Sequence, residues 1–408
     1  MIIKSLSIIV LWILGLTSCS SQNQNHQVNV LPNVSKTSVT AQIVTGAEHT
    51  ADYTGLLANK RVGLVVNQTS VIGKQHLIDT LLKLGIRIEA IFAPEHGFRG
   101  NNPDGDIIRD NRDLKTGIEV WSLYGKTKKP TPEQLDRVDI IVYDIQDVGV
   151  RFYTFISTLH YVMEACAEAG KPLIVFDRPN PNSGYIDGPV LDTSFRSFVG
   201  MHPIPVVYGL TPGELAEMIN GEGWLRNSRK CNLKIIPLSG YSHGDKISLL
   251  IPPSPNLPND LAINLYPSLC WFEATPVSIG RGTPWPFQVI GFPDETCGQF
   301  CFEPQPIKNA SISPPQKGKK CFGDDLRNTF YRNQIDLDIF IQYYHHLKNK
   351  TKFFERPDFF DKLAGTDQLR FDIESEKTEA EIRDGWQKQL TEYKTLRQRY
   401  LLYPDHSK

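Results

Sequence analysis

What this sequence lacks first is net charge: 44 basic residues against 45 acidic ones leave −1 over 408 residues. So balanced a chain carries no electrostatic footprint for a phosphate backbone, and no nucleic-acid partner is expected. Beyond the first twenty residues there is no apolar run long enough to cross a bilayer. No Gly-x-Gly-x-x-Gly follows the first apolar strand, so a dinucleotide is not implied. Covalent serine or cysteine hydrolysis is disfavoured, because no nucleophile elbow is expected and no cysteine stands in a reactive-looking polar setting. Cys297 and Cys301 are spaced Cys-x3-Cys without a second pair or a nearby histidine pair. Neither a metal nor a cofactor is therefore expected.

The N-terminus carries information of another kind. Lys4 precedes the apolar segment Leu6–Leu16, which ends in Leu-Thr-Ser-Cys at residues 16–19. That order reads as a secretory signal rather than a membrane span. The ending resembles the bacterial lipobox, which implies cleavage before Cys19 and a lipid on that cysteine; the plainer reading is a simple signal peptide with a chance cysteine. Residues 1–19 are then the lipoprotein signal and residues 20–41 a flexible tether. The expected location is the cell envelope or periplasm, with the membrane contacted through the lipid alone. An oxidising compartment permits disulfides, and Cys297, Cys301 and Cys321 lie close enough in sequence to include a pair.

The first half repeats one pattern. Continuous apolar runs at Arg61–Gln68, Ile88–His96, Val138–Asp147 and Pro172–Pro181 read as parallel strands buried on both faces. Helical segments at His76–Gly85 and Thr154–Gly170 alternate with them and close on glycines. This is an α/β arrangement with a mostly parallel sheet, placed in residues 42–205. Residues 206–408 are assigned to a smaller α+β domain. They hold a capped helix at Thr211–Asn220, a strand at Leu233–Leu238, a proline-rich loop and two C-terminal helices.

Each first-half strand ends in polar residues at its carboxyl side, where open α/β sheets bind ligands. Asn67 and Gln68, Glu95 and His96, Asp144, Gln146 and Asp147, and Asp177 and Arg178 stand there in turn, with Arg151 and Tyr153 following the third strand. Taken singly, each reads as a turn or cap residue; four strands doing the same point to a site. Glu95, after the apolar Ile91–Ala93, is the sharpest candidate, because partial burial raises a carboxyl pKa and suits a general acid. The plainer reading of Glu95 is a surface acid in a glycine-rich turn. The mixture of acids, amides and aromatics in Tyr143–Phe155 suits a polyhydroxylated ligand, or else encloses an internal ion pair of Asp144 or Asp147 with Arg151. Farther on, Glu273 and Arg281 stand in an apolar context. They either pair with each other or serve as a second catalytic carboxylate and a carboxylate-binding cation.

With "APEHGFRG", "DIQDVGVRFYTFISTL", "DRPNPNSGYIDGP" and "FEATPVSIGRGTPWPFQVIG" in view, the chain resembles the NamZ-type exo-β-N-acetylmuramidases of bacterial cell-wall turnover, from about residue 42 onward. The resemblance implies a Rossmann-like domain, a smaller C-terminal domain and a cleft between them. It also implies release of terminal N-acetylmuramic acid from the non-reducing end of peptidoglycan fragments. The family's presumed catalytic glutamate, in its Pro-Glu-His-Gly motif, falls on Glu95. Glu273 is the candidate second carboxylate, with the substrate's own acetamide oxygen as the alternative. Arg151 or Arg281 is expected to meet the lactyl carboxylate, and Asn67, His96, Asp144, Gln146, Asp147 and Tyr153 the remaining groups. A different class also fits a lipid-anchored α/β chain: a lipoprotein that captures muropeptides or sugars for uptake without cleaving them.

Overall fold

In the computed structural model, which describes residues 43–94, 98, 111–125 and 127–406, the apolar runs of the first half become one sheet. The elements are α1 (Thr50–Leu57), β1 (Val62–Val66), a short hairpin β2 (Val71–Ile72) and β3 (Gln75–His76), α2 (Leu77–Lys83) and β4 (Ile88–Ala93). They continue through β5 (Asn111–Arg112), β6 (Glu119–Ser122), α3 (Pro132–Asp136), β7 (Ile140–Asp144), α4 (Phe155–Ala169), β8 (Leu173–Phe176), α5 (Pro212–Gly221) and β9 (Leu233–Ile236). The spatial order is β5-β6-β4-β1-β7-β8-β9. Every neighbouring pair is parallel except the two-residue edge β5. Counted along the chain, the parallel strands run 3-2-1-4-5-6, the Rossmann order, with the switch between β1 and β7.

The absence of alternation in the strands has a direct cause. Val62, Leu64 and Val66 pack on Tyr53 and Leu57 of α1 and on Leu77 and Leu81 of α2. Val65, Phe92, Ile141 and Tyr143 face the other way, toward α4 and α5. Each helix is bounded as its residues dictate. Gly170 takes the left-handed conformation that ends α4, and Thr211, Pro212 and Glu214 form the capping box that starts α5.

One expectation is corrected here. Leu233–Ile236, assigned from sequence to the second domain, pairs in parallel with β8 from Leu173↔Leu233 to Phe176↔Ile236. As an edge strand it is paired on one side only, and the exposed Lys234 interrupts the apolar run that marks the inner strands. The second domain holds a three-stranded antiparallel sheet, β10 (Val289–Phe292), β11 (Phe300–Phe302) and β12 (Cys321–Asp325), in the order β10-β12-β11. Around it lie α6 (Asp260–Leu269), α7 (Asp338–Leu347), α8 (Pro357–Ala364), α9 (Gln368–Glu374) and α10 (Glu379–Arg397). The core on the α4 face of the main sheet continues without a break through Trp271, Phe340, Phe360 and Trp386, so the two domains share one interior.

Three polar braces cross that shared interior. Arg383 of α10 meets Asp187 at 2.8 Å, and Tyr403 donates to Asp177 at 2.6 Å. The third is Arg151, which is fully buried. Its Nη1 donates to the carbonyls of Pro189 and Ile204 at 2.8 and 2.7 Å, and its Nη2 to those of Leu363 and Ala364 at 3.0 and 2.6 Å. Among the described residues no carboxylate pairs with it. Burial lowers its pKa to about 9, which leaves it charged at neutral pH. Replacing Arg151 by Met strips four buried carbonyls of their donor, and a single unmet buried polar group costs about 1–3 kcal/mol. Arg151→Met is expected to lose about 3 kcal/mol or more in urea unfolding; an unchanged midpoint would show that the bonds carry no net stability.

Candidate functional site

At the switch between β1 and β7 the polar strand ends are occupied with one another. Asn67 Oδ1 accepts from the backbone N–H and the hydroxyl of Thr69, at 2.9 and 2.5 Å, which is the closed turn expected of Asn after a strand. Ser70 donates to the carbonyl of Asp144. The Asp144 carboxylate takes both arms of Arg178, at 2.6 and 2.8 Å, in a buried bidentate pair. Gln146 donates its amide to the carbonyls of Asp147 and Pro179, at 2.8 and 2.6 Å. Asp147 accepts from the hydroxyl of Tyr208 and from the N–H of Gly149, a glycine that turns the chain at φ +74°. Protein partners thus hold all four candidates and none of them lines the cavity between the domains, with Asn67 Nδ2 and Asp147 Oδ1 left without a hydrogen bond among the described residues. The internal ion pair weighed for Arg151 does not form, because Asp144 belongs to Arg178 and Arg151 to main-chain carbonyls.

The open space lies beside this knot, between the two domains: a cavity of about 710 Å³, a volume that suits a small ligand. Phe152, Tyr153 and Phe155, in the turn leading into α4, form one wall. Tyr266 and Phe287 extend it through edge-to-face contacts of 5.3 Å (Phe152–Tyr266) and 5.0 Å (Tyr266–Phe287). Phe287 holds a left-handed φ of +57°, strained for a bulky residue, and its ring lies 5.1 Å from the Arg281 guanidinium. Hydroxyls and an amide from Ser254, Asn256, Ser311 and Ser313 line another side. Tyr153 reaches the cavity with its hydroxyl donated to the carbonyl of Pro253 at 2.8 Å. Gln68 donates to the carbonyls of Pro252 and Pro253 at 3.3 and 3.1 Å, tying the proline-rich loop to the end of β1.

Glu273 and Arg281 are brought together here. Arg281 donates to Glu273 Oε1 from Nε and Nη2 at 3.1 and 2.5 Å, and Glu273 Oε2 has no hydrogen-bond partner among the described residues. The cavity also holds a residue that the sequence reading missed, Arg356, which donates to the carbonyl of Glu273 and lies over the ring of Phe359 at 4.6 Å. Nothing in "FERPDFF" distinguishes Arg356 from a surface arginine before a helix; only the fold brings it to the cavity. Glu95, His96 and Cys19 lie outside the described residues.

Several expectations about the second domain change. Trp285 packs against Phe300 and the guanidinium of Arg327 and does not line the cavity. All six cysteines from Cys166 onward are free thiols. The ladder pairs Cys301 with Phe322 and Cys321 with Phe302. Cys301 and Cys321 therefore point to opposite faces of the sheet. Burial pushes the Cys231 thiol up to about 12 and also raises those of Cys166 and Cys270, which removes them as nucleophiles. Asp294, Cys297 and His346 place ligand atoms within 4.8 Å of one another. The Lys350 ammonium already sits there, at 2.6 Å from Asp294 and 3.0 Å from His346. Gly240–Gly244 does match Gly-x-Ser-x-Gly, against the sequence expectation. Yet Ser242 lies in a loop rather than a strand-to-helix turn, and His243 is buried on Glu214 at 3.0 Å.

A Rossmann-ordered sheet closed by a smaller α+β domain, over an aromatic cavity edged by hydroxyls, a carboxylate and two guanidiniums, defines a two-domain α/β protein fitted to a polar ring such as a sugar. Comparison with known proteins gives the family. The model for the N-terminal part of the exo-β-N-acetylmuramidase NamZ matches residues 62–261, and that for its C-terminal part matches residues 264–403. The chain belongs to the NamZ exo-β-N-acetylmuramidase family and is a glycoside hydrolase. It is 38% identical over 373 residues to the peptidoglycan β-N-acetylmuramidase NamZ of Bacillus subtilis (strain 168), covering 86% of this chain and 89% of the relative. A crystal structure of a DUF1343 family protein from Bacteroides fragilis NCTC 9343 shares 44% identity with a TM-score of 0.83, over 90% of this chain and 100% of that one. A second DUF1343 structure from the same organism shares 32% identity with a TM-score of 0.77, over 88% and 99%.

Burial pushes the Asp147 carboxyl up to about 7, against the hydrogen bonds from Tyr208 and Gly149 that pull it down. The folded group holds its proton more tightly than the unfolded one, so its contribution is most favourable below the ordinary 3.8 and is lost as pH rises to about 7. Within that window this group lowers the unfolding free energy by up to about 1.4 kcal/mol per pH unit. Asp147→Asn, which does not titrate, is expected to show a shallower decline when urea unfolding is measured across the same pH range. Parallel profiles for the two proteins would contradict the assignment.

Proposed function

We propose that this chain hydrolyses the β-glycosidic bond of a terminal N-acetylmuramic acid at the non-reducing end of peptidoglycan fragments, with Glu95 as general acid. The observation that carries the reading is the match of both halves of the chain, in order, to the two NamZ domains, with an aromatic cavity of sugar size between them. The Bacillus relative is named for the same bond in the same polymer.

Glu95 is supported by the chain around it. β4 ends at Ala93, which pairs with Ser122, and Tyr124, two residues on, lines the cavity. In the proposed step Glu95 passes its proton to the glycosidic oxygen as the bond to the anomeric carbon breaks, and water supplies the new oxygen at that carbon. Glu273 is the one carboxylate among the described cavity residues. Its Oε2, without a hydrogen-bond partner among the described residues, is the group assigned to the developing positive charge or to the attacking water. Tyr153, Ser254 and Asn256 supply partners for hydroxyls and the acetamide.

Glu95→Gln is expected to keep the fold and lose nearly all release of free N-acetylmuramic acid from peptide-free muramyl oligosaccharides, as followed by mass spectrometry. Near-normal release removes Glu95 from the mechanism. No release by the wild-type protein favours the capture reading over hydrolysis.

The same reading makes the chain an exported lipoprotein, with a lipid on Cys19 and residues 20–41 as its tether. No helix among the described residues is long and apolar enough to cross a membrane. Cys19→Ser is expected to move the protein from the membrane fraction to the soluble envelope fraction; retention in the membrane would refute the anchor.

A further inference from the structure

We infer that Arg356 reads the free carboxylate of the substrate's lactyl ether and so sets the preference for an acidic amino sugar over a neutral one. This rests on the function proposed above and goes on to name the residue that selects the substrate. The starting point is charge. The described residues lining the cavity include one carboxylate, Glu273, and two guanidiniums, Arg281 and Arg356, with no lysine, histidine or aspartate. Glu273 neutralises Arg281 at 2.5 Å. An incoming anion that took Arg281 would compete with a carboxylate already in place. Arg151, the other cation expected for this task, is sunk among carbonyls. Arg356 has no carboxylate against it among the described residues.

Arg356 is also held in a defined pose. Its N–H donates to the carbonyl of Ala274 at 3.1 Å, Nη2 donates to the carbonyl of Glu273, and the guanidinium lies 4.6 Å from the Phe359 ring centroid. One donor of the planar fork is committed, and others remain for a bidentate carboxylate. Glu273 thus stands between two guanidiniums, one on its side chain and one on its carbonyl. Arg356 lines the same cavity as the aromatic wall, so a sugar ring held on that wall lies in the space that the guanidinium borders. Arg356 is solvent-exposed there, so the contact is partly screened and its effect moderate.

The test compares a chromogenic β-N-acetylmuramic acid glycoside with its lactyl methyl ester, which keeps the shape and removes the charge. Wild-type protein is expected to favour the free acid by about 10-fold in kcat/KM. In Arg356→Ala the preference collapses toward 1, with the loss appearing in KM rather than kcat, and Arg356→Lys recovers part of it. Equal wild-type rates on acid and ester, or a preference that survives in Arg356→Ala, overturns the assignment and leaves the hydrolase reading standing. A wild-type protein that cleaves neither compound overturns both.

Discussion

A single buried guanidinium sets the width of the working space. Arg151 leaves the turn after β7 and spends its donors on carbonyls from two directions, Pro189 and Ile204 on one side and the end of α8 on the other. The residues that follow it, Phe152 to Phe155, form one wall of the cavity. The opposite end of α8 supplies Phe359 and adjoins Arg356 at the mouth. Because a planar five-donor group fixes direction as well as distance, Arg151 couples the position of one wall to that of the other. The braces at Asp187 and Asp177 hold the remaining contacts between the domains, and the unbroken apolar core beneath them gives the halves little freedom to slide.

The cavity stands beside the crevice in which this topology usually holds a ligand. In a Rossmann-ordered sheet the crevice at the strand-order switch is the usual ligand site. Here it is filled by the Asp144–Arg178 pair, the Asn67–Thr69 turn and the Gln146 and Asp147 hydrogen bonds. The buried Asp144–Arg178 pair is satisfied within the protein, while Asn67 Nδ2 and Asp147 Oδ1 keep no hydrogen bond among the described residues. The cavity is displaced toward the second domain, where aromatic faces and small polar groups replace buried charge, a surface better matched to a sugar's alternating C–H and O–H faces.

Much of the architecture was legible before folding. Continuous apolar runs announce inner parallel strands because both faces of the sheet are covered, and Thr211-Pro212-Gly213-Glu214 announces a helix start because each residue meets a local backbone need. β9 lacks that mark because it pairs on one side only and the exposed Lys234 breaks its apolar run. Glu273 and Arg281 were readable as a polar pair in apolar surroundings, and they do meet in the cavity. Asp144 and Arg151 looked alike in sequence, two charged groups near a strand end. Their partners, Arg178 and the α8 carbonyls, lie 34 and more than 200 residues away, and no local pattern encodes that pairing.

The sequence by itself determined the α/β class, the starts or ends of helices such as α4 and α5, the Glu273–Arg281 pairing as one of two readings, and a family resemblance that comparison with known proteins bears out. Those properties follow from residue type and spacing, which act over a few positions of chain. Only the tertiary structure decided which polar residues are scaffold and which are open. It also brought Arg356 to the cavity, turned Phe287 into a strained φ beneath Arg281, and set Cys301 and Cys321 on opposite faces. Those outcomes depend on which distant groups come within about 3 Å of one another, and that is settled by how the two domains pack on their common core.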